Sequence, residues 1–151
     1  MNFENTTTLP SLASAAHGTI LELGPGTGNQ LPRYNRDNVL HIYGIESNVA
    51  LAEPLNAKID ETHLGDKYTP IFCRIEDVQV LEMHGITTES VDCITSFQVL
   101  CSVKKPTEVV THLWRLLKPE GELIFWEHEM SVDWLTWLVQ SMCILSPSTK
   151  M

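Results

Sequence analysis

Glu22-Leu23-Gly24-Pro25-Gly26-Thr27-Gly28-Asn29 follows directly on the apolar run Thr19-Ile20-Leu21. The spacing predicts a strand over Thr19 to Leu23, ended by Gly24. Three alternating glycines let the backbone turn sharply and let a ligand approach it closely. A short helix is expected over Thr27 to Tyr34, capped by Thr27, with its positive end toward the turn. Pro32 limits its length. The turn departs from the dinucleotide fingerprint G-x-G-x-x-G, because its third glycine comes one residue early at Gly28. Glu22, two residues before Gly24, would oppose a pyrophosphate. A carboxylate there suits a ligand carrying an ammonium or a sulfonium.

Working outward, short strand-like runs alternate with helix-like runs. His41 to Glu46 reads as the second strand, and Ser47 or Asn48 caps a helix to about His63, with Pro54 starting a fresh turn. Tyr68 to Cys73 reads as the third strand, and Pro70 favours an edge or a strand start. Val91 to Phe97 is the fourth. Val109, Val110, Leu113, Leu116 and Leu117 recur at helical spacing within Pro106 to Leu117. Lys118-Pro119-Glu120-Gly121 reads as a turn, Glu122 to Trp126 as strand five, and Trp134 to Leu145 as a last helix. This rhythm predicts an α/β fold: a doubly wound, mostly parallel sheet of about five strands with helices on both faces. Such sheets bind ligands beyond the carboxyl ends of their strands.

The remaining candidate residues fall at those ends. Glu46 closes strand two, 22 residues after Gly24, an interval at which an acid accepts hydrogen bonds from ribose hydroxyls. The alternative is an exposed acid at a helix start. Ile75-Glu76-Asp77 follows strand three, where a carboxylate could accept from an exocyclic amine and a backbone amide could read a ring nitrogen. Gln98 follows strand four. For each of these the alternative is a solvated loop.

The 151 residues, 10 of them Lys or Arg and 19 Asp or Glu, give a formal net charge of −9. That surface repels a nucleic-acid backbone, so no nucleic-acid partner is expected. Cys73, Cys93, Cys101 and Cys143 form no C-x-x-C pair and no zinc spacing. They read as small buried hydrophobes in a reducing compartment, and no metal is expected. Met1 to Gly18 is polar, rich in Ser, Thr and Ala, and expected to be flexible. It has neither the basic start nor the apolar run of a signal peptide. The longest mainly apolar stretch, Trp134 to Leu145, is short of the roughly 20 residues that span a bilayer. A cytoplasmic protein is expected.

Glu22 to Gly28, then Gly44-Ile45-Glu46, then Leu117-Lys118-Pro119-Glu120-Gly121-Glu122-Leu123 resemble the motifs of class I S-adenosylmethionine-dependent methyltransferases. Phe97-Gln98-Val99-Leu100-Cys101-Ser102-Val103 and Phe125-Trp126-Glu127-His128 resemble, more narrowly, the group that includes membrane-associated thiol methyltransferases and fungal relatives. The resemblance covers about residues 19 to 129. It implies a Rossmann-like fold with S-adenosyl-L-methionine across the strand ends. Glu22, Gly24, Pro25, Gly26 and Gly28 would hold the methionine part. Glu46, with Ser47 beside it, would hold the ribose, and Ile75, Glu76 and Asp77 would flank the adenine, with Gln98 facing the same cleft. The family's sheet ends in an antiparallel hairpin. The sequence reading therefore divides the chain into a flexible segment, 1–18, and a cofactor-binding domain, 19–151, that lacks the usual C-terminal β-hairpin. Trp134, Leu135, Trp137, Leu138 and Ile144 would either pack on the core or offer an apolar patch to a protein or a membrane surface.

Methyl transfer is an in-line displacement that needs positioning and exclusion of water. A base helps only where the acceptor carries a proton. His128 and Glu127, at the end of strand five, are the candidates. The expected function is methyl transfer from S-adenosylmethionine to a small molecule, in specialised metabolism. Two alternatives stand beside it: a non-catalytic module that binds cofactor or a partner, and a nicotinamide-binding domain, against which Gly28 and Glu22 count.

Overall fold

The computed structural model describes residues 3–127. Its five strands are β1 (Gly18–Leu23), β2 (Val39–Ile45), β3 (Tyr68–Ile71), β4 (Val91–Phe97) and β5 (Leu117–Trp126). They form one sheet in the order β3-β2-β1-β4-β5, and every neighbouring pair is parallel. Pro70 sits on the edge strand β3, where its missing N–H costs no ladder bond. The helices are α1 (Leu9–Ala15), α2 (Ala52–Glu61), α3 (Val78–Met83) and α4 (Pro106–Leu116).

Strand alternation divides the core between two faces. Leu21, Leu23, Ile45 and Ile94 meet Leu81 of α3 and Val109, Leu113 and Leu116 of α4 on one face. Ile20, Ile42 and Cys93 meet Leu55 and Ile59 of α2, with Leu31, Tyr34 and Tyr68, on the other. Each such side chain contributes about 2 kcal/mol by leaving water. The doubly wound architecture follows. From β3 at one edge the chain returns to the centre at β4, so the strand order reverses between β1 and β4, directly beyond Gly24.

Four local expectations are corrected. No α-helix follows the glycine turn: Gly28 N–H donates to the Pro25 carbonyl at 2.8 Å, further turns follow, and Leu31–Arg33 is a single 3-10 turn. Pro32 and the left-handed Gly28 (φ +82°) prevent a longer helix and the N-terminal dipole it would supply. The segment before β1 contains structure where a flexible 1–18 was expected. Phe3–Thr6 is a 3-10 turn, and α1 buries Leu9 and Ala13 against Phe97, with Leu12, Ile124 and Trp126 packed around them. Those two residues lie four apart, one helical turn. Lys118 to Gly121 is a bulge inside β5, because Val91 pairs with Leu117 and Cys93 already with Glu122. Cys101 is exposed on a 3-10 turn, whereas Cys93 is buried as expected. The helix expected over Trp134 to Leu145, His128 and the region bearing on the C-terminal hairpin lie outside the described residues.

Candidate functional site

Two hollows open at the carboxyl ends of the strands and share Leu23 and Gly24. The first lies over β2, β3 and α4, walled by Ser47, Cys73, Ile75, Glu76, Val99 and Val103. The second lies around the glycine turn, walled by Glu22, Pro25, Gly26, Gln30, Gln98 and Glu4.

Gly24 separates the hollows because nothing larger fits. Its φ is +56°, and a Cβ there would stand 2.7 Å from Val99 Cγ2. Gly24 N–H donates to the Ile45 carbonyl at 2.9 Å, which continues the β1–β2 ladder into the turn. Glu46 then ties the turn to β2. Its Oε2 accepts from Gly26 N–H at 3.0 Å and its Oε1 from Asn48 N–H at 2.8 Å, and the residue is buried. The acid expected for a ribose is therefore also the brace of the turn.

Glu22 is the most unusual group. It is fully buried in the sheet, and its Oε2 accepts from the Tyr68 hydroxyl at 2.7 Å. Oε1 has no partner. Tyr68 reaches it by crossing β2 at Gly44, the residue in register with Glu22, where any Cβ would collide with the phenol. Burial pushes the Glu22 carboxyl up to about 7, although the Tyr68 and Tyr34 hydroxyls beside it pull the other way. Burial and the Glu22 charge also push both phenols well above their ordinary value, so they remain donors. A buried carboxyl with a partnerless oxygen beside a ligand-sized hollow is a functional-site signature.

The other expected residues divide. Ser47, Ile75 and Glu76 line the first hollow. Asp77 does not: its carboxylate accepts from Arg74 N–H at 2.8 Å and closes the loop before α3. Gln98 lines the second hollow in a left-handed conformation (φ +62°), its N–H donating to the Trp126 carbonyl at 2.8 Å. Such backbone occurs where surrounding structure over-determines it, often at sites. Glu127 is a brace. Its Oε1 accepts from Ser96 Oγ, Val99 N–H and Leu100 N–H at 2.9, 3.0 and 3.0 Å. It thus holds Val99 against Gly24, while its Oε2 is buried with no partner among the described residues. Glu4 had no local signal, since only the folded N-terminal segment brings it to the turn.

The acid before the turn, the acid after β2 and the two hollows lie together at the strand-order reversal of a parallel α/β sheet, where such sheets bind ligands. A family model described as a methyltransferase domain matches residues 4–150. The chain belongs to that family, the class I S-adenosylmethionine-dependent methyltransferases. Rat thiol S-methyltransferase TMT1B is 32% identical over 111 residues, 73% of this chain and 42% of that protein. An uncharacterized methyltransferase of Schizosaccharomyces pombe is 25% identical over 119 residues, 78% of this chain and 42% of that one. The chain thus spans less than half the length of these relatives. Among solved structures, a Bacillus halodurans methyltransferase superposes with a TM-score of 0.71 at 14% identity, covering 89% of this chain and 55% of that one. An Aquifex aeolicus S-adenosylmethionine-dependent methyltransferase gives 0.66 at 16% identity, covering 87% and 67%. These structures share the fold. Among the described residues, no helix is long and apolar enough to cross a membrane.

Proposed function

We propose that this chain binds S-adenosyl-L-methionine across the two hollows and transfers its methyl group to a small-molecule acceptor. The observation that carries the reading is the buried Glu22 carboxyl, with one oxygen unpartnered beside the glycine turn. That group fits the cofactor, because a carboxylate near neutrality is stabilised by a nearby ammonium or sulfonium. Glu22 and the Gly24–Gly28 turn would hold the amino-acid end, Glu46 and Ser47 the ribose, and Ile75 and Glu76 the adenine. When bound, S-adenosylmethionine supplies an activated methyl on a positively charged sulfur.

The chain's own residues orient and exclude water. Val99, held by Glu127, packs over Gly24, and Ile75, Val103 and Val109 give the first hollow an apolar wall. Glu127 positions rather than removes a proton, since three donors already occupy Oε1 and Oε2 is buried away from the hollows. His128 stays the candidate base for an acceptor that carries a proton. A thiol is the acceptor to test first, because the rat relative is named a thiol S-methyltransferase.

The test has two stages. Titration calorimetry with S-adenosylhomocysteine on the folded 151-residue chain should give saturable one-to-one binding. Labelled cofactor with a small alkyl thiol should then yield a labelled thioether. A folded chain that binds no S-adenosylhomocysteine refutes the reading. Binding with no transfer to thiols, alcohols or amines favours the non-catalytic alternative.

A further inference from the structure

The second hollow has a wall that β1 and its turn do not supply. Glu4, from the 3-10 turn at the start of the described chain, lines it beside Glu22 and Gln30. Arg33 stands behind that wall and holds it together. Its guanidinium donates to Glu4 Oε2 at 3.0 Å, to Asn5 Oδ1 at 2.7 Å and to Gln30 Oε1. The Arg33 and Glu4 side chains are 11% and 19% exposed, so the pair is largely out of water, where such pairing is strong and geometrically exacting. Downstream, α1 anchors the same segment through Leu9 and Ala13, both with no exposed surface. The segment is fixed at two points, one polar and one apolar. Among the described residues lining the hollow, two are carboxylic and none is basic, and one of the two carboxyls is the fully buried Glu22 with its unpartnered oxygen.

We propose that Arg33 latches the N-terminal segment onto the glycine turn so that Glu4 becomes a second binding carboxylate for the cationic end of the ligand. This rests on the reading that S-adenosylmethionine occupies the hollows. Glu4 adds charge selection at the amino-acid end, and Arg33 is a positioning residue acting through Glu4 and Gln30.

The experiment compares two ligands on three proteins by calorimetry: the wild type, Glu4→Gln and Arg33→Ala. S-Adenosylhomocysteine carries the ammonium together with its carboxylate, and 5′-methylthioadenosine lacks both. Glu4→Gln keeps an acceptor for Arg33, so the wall stays in place while its charge is lost. Both variants should bind S-adenosylhomocysteine about tenfold more weakly, the scale of one charge-assisted hydrogen bond. Their affinity for methylthioadenosine should stay within about twofold of wild type. Far-ultraviolet circular dichroism reports that each variant is folded. Equal weakening of both ligands, or unchanged S-adenosylhomocysteine binding in Glu4→Gln, overturns the proposal while leaving the proposed function standing. No S-adenosylhomocysteine binding by the folded wild type overturns both.

Discussion

Glu22→Gln should flatten the pH dependence of folding. The carboxyl has an ordinary value of 4.5 and stands at about 7 in the fold, because burial disfavours its charge. Between those values the folded chain holds a proton that the unfolded chain has released. Stability from this group is complete below 4.5 and is lost as pH rises through 7. Linkage over pH 5 to pH 8 gives a loss of about 2–3 kcal/mol, at roughly 1.4 kcal/mol for each pKa unit. Gln cannot titrate, yet its carbonyl can still accept from Tyr68, so the variant keeps the cluster without the linkage. His41 and His112, both held below their usual value by burial, contribute the opposite slope, and they do so in both proteins. The difference between the two proteins therefore isolates Glu22. Urea unfolding followed by circular dichroism at half-unit steps from pH 5 to pH 8 measures it. Wild type should lose about 2–3 kcal/mol more than the variant over that range. Parallel curves, or a steeper loss in the variant, would refute the assignment of a proton to buried Glu22.

The remaining predictions are independent of that titration. Gly44→Ala should cost about 2–4 kcal/mol and weaken S-adenosylhomocysteine binding, since a Cβ displaces the Tyr68 phenol and leaves Glu22 unbonded; an unchanged urea midpoint would contradict it. Gly24→Ala should abolish binding in a chain that still folds, because the new Cβ meets Val99 across the wall between the hollows; calorimetry decides. Glu127→Ala should cost about 3 kcal/mol and Glu127→Gln about 1 kcal/mol or less, since one amide oxygen can take the place of Oε1. Equal losses in the two would show that charge, not the acceptor, holds the loop. Iodoacetamide should modify Cys101 in the native chain and Cys93 only in denaturant, as mass mapping of peptides would show.

Legibility in the sequence followed the range of the interactions. β4 and α4 were readable almost to the residue, because the β-branched and apolar run from Val91 to Phe97 and a helical stripe from Val109 to Leu116 are local patterns. A cap was readable at Ser47 or Asn48, and Asn48 Oδ1 accepts from Ala50 N–H at 3.1 Å, heading the 3-10 turn Val49–Leu51 that leads into α2. The six residues of α3 hold too few turns to show a period, so they read as loop. The helix expected after Gly28 lost to two backbone restraints, Gly28 itself and Pro32. α1 did carry a signal in Leu9 and Ala13, but a Ser/Thr/Ala-rich setting hid it. The carboxylates were found by position, while their partners were not. Gly26 for Glu46, Tyr68 for Glu22 and Val99 for Glu127 are 20, 46 and 28 residues away, and no window along the chain contains both members.

Glu46 has both oxygens engaged by backbone amides, one in the glycine turn and one at the start of the next segment. A backbone amide cannot be substituted away, so variation at this site is confined to the acid and to the loop's path. Aspartate, one methylene shorter, could not span the same two amides without drawing the turn toward β2. Across relatives of this fold, the length of the acid after the second strand and the residue pattern of the glycine turn should therefore drift together as one inherited unit.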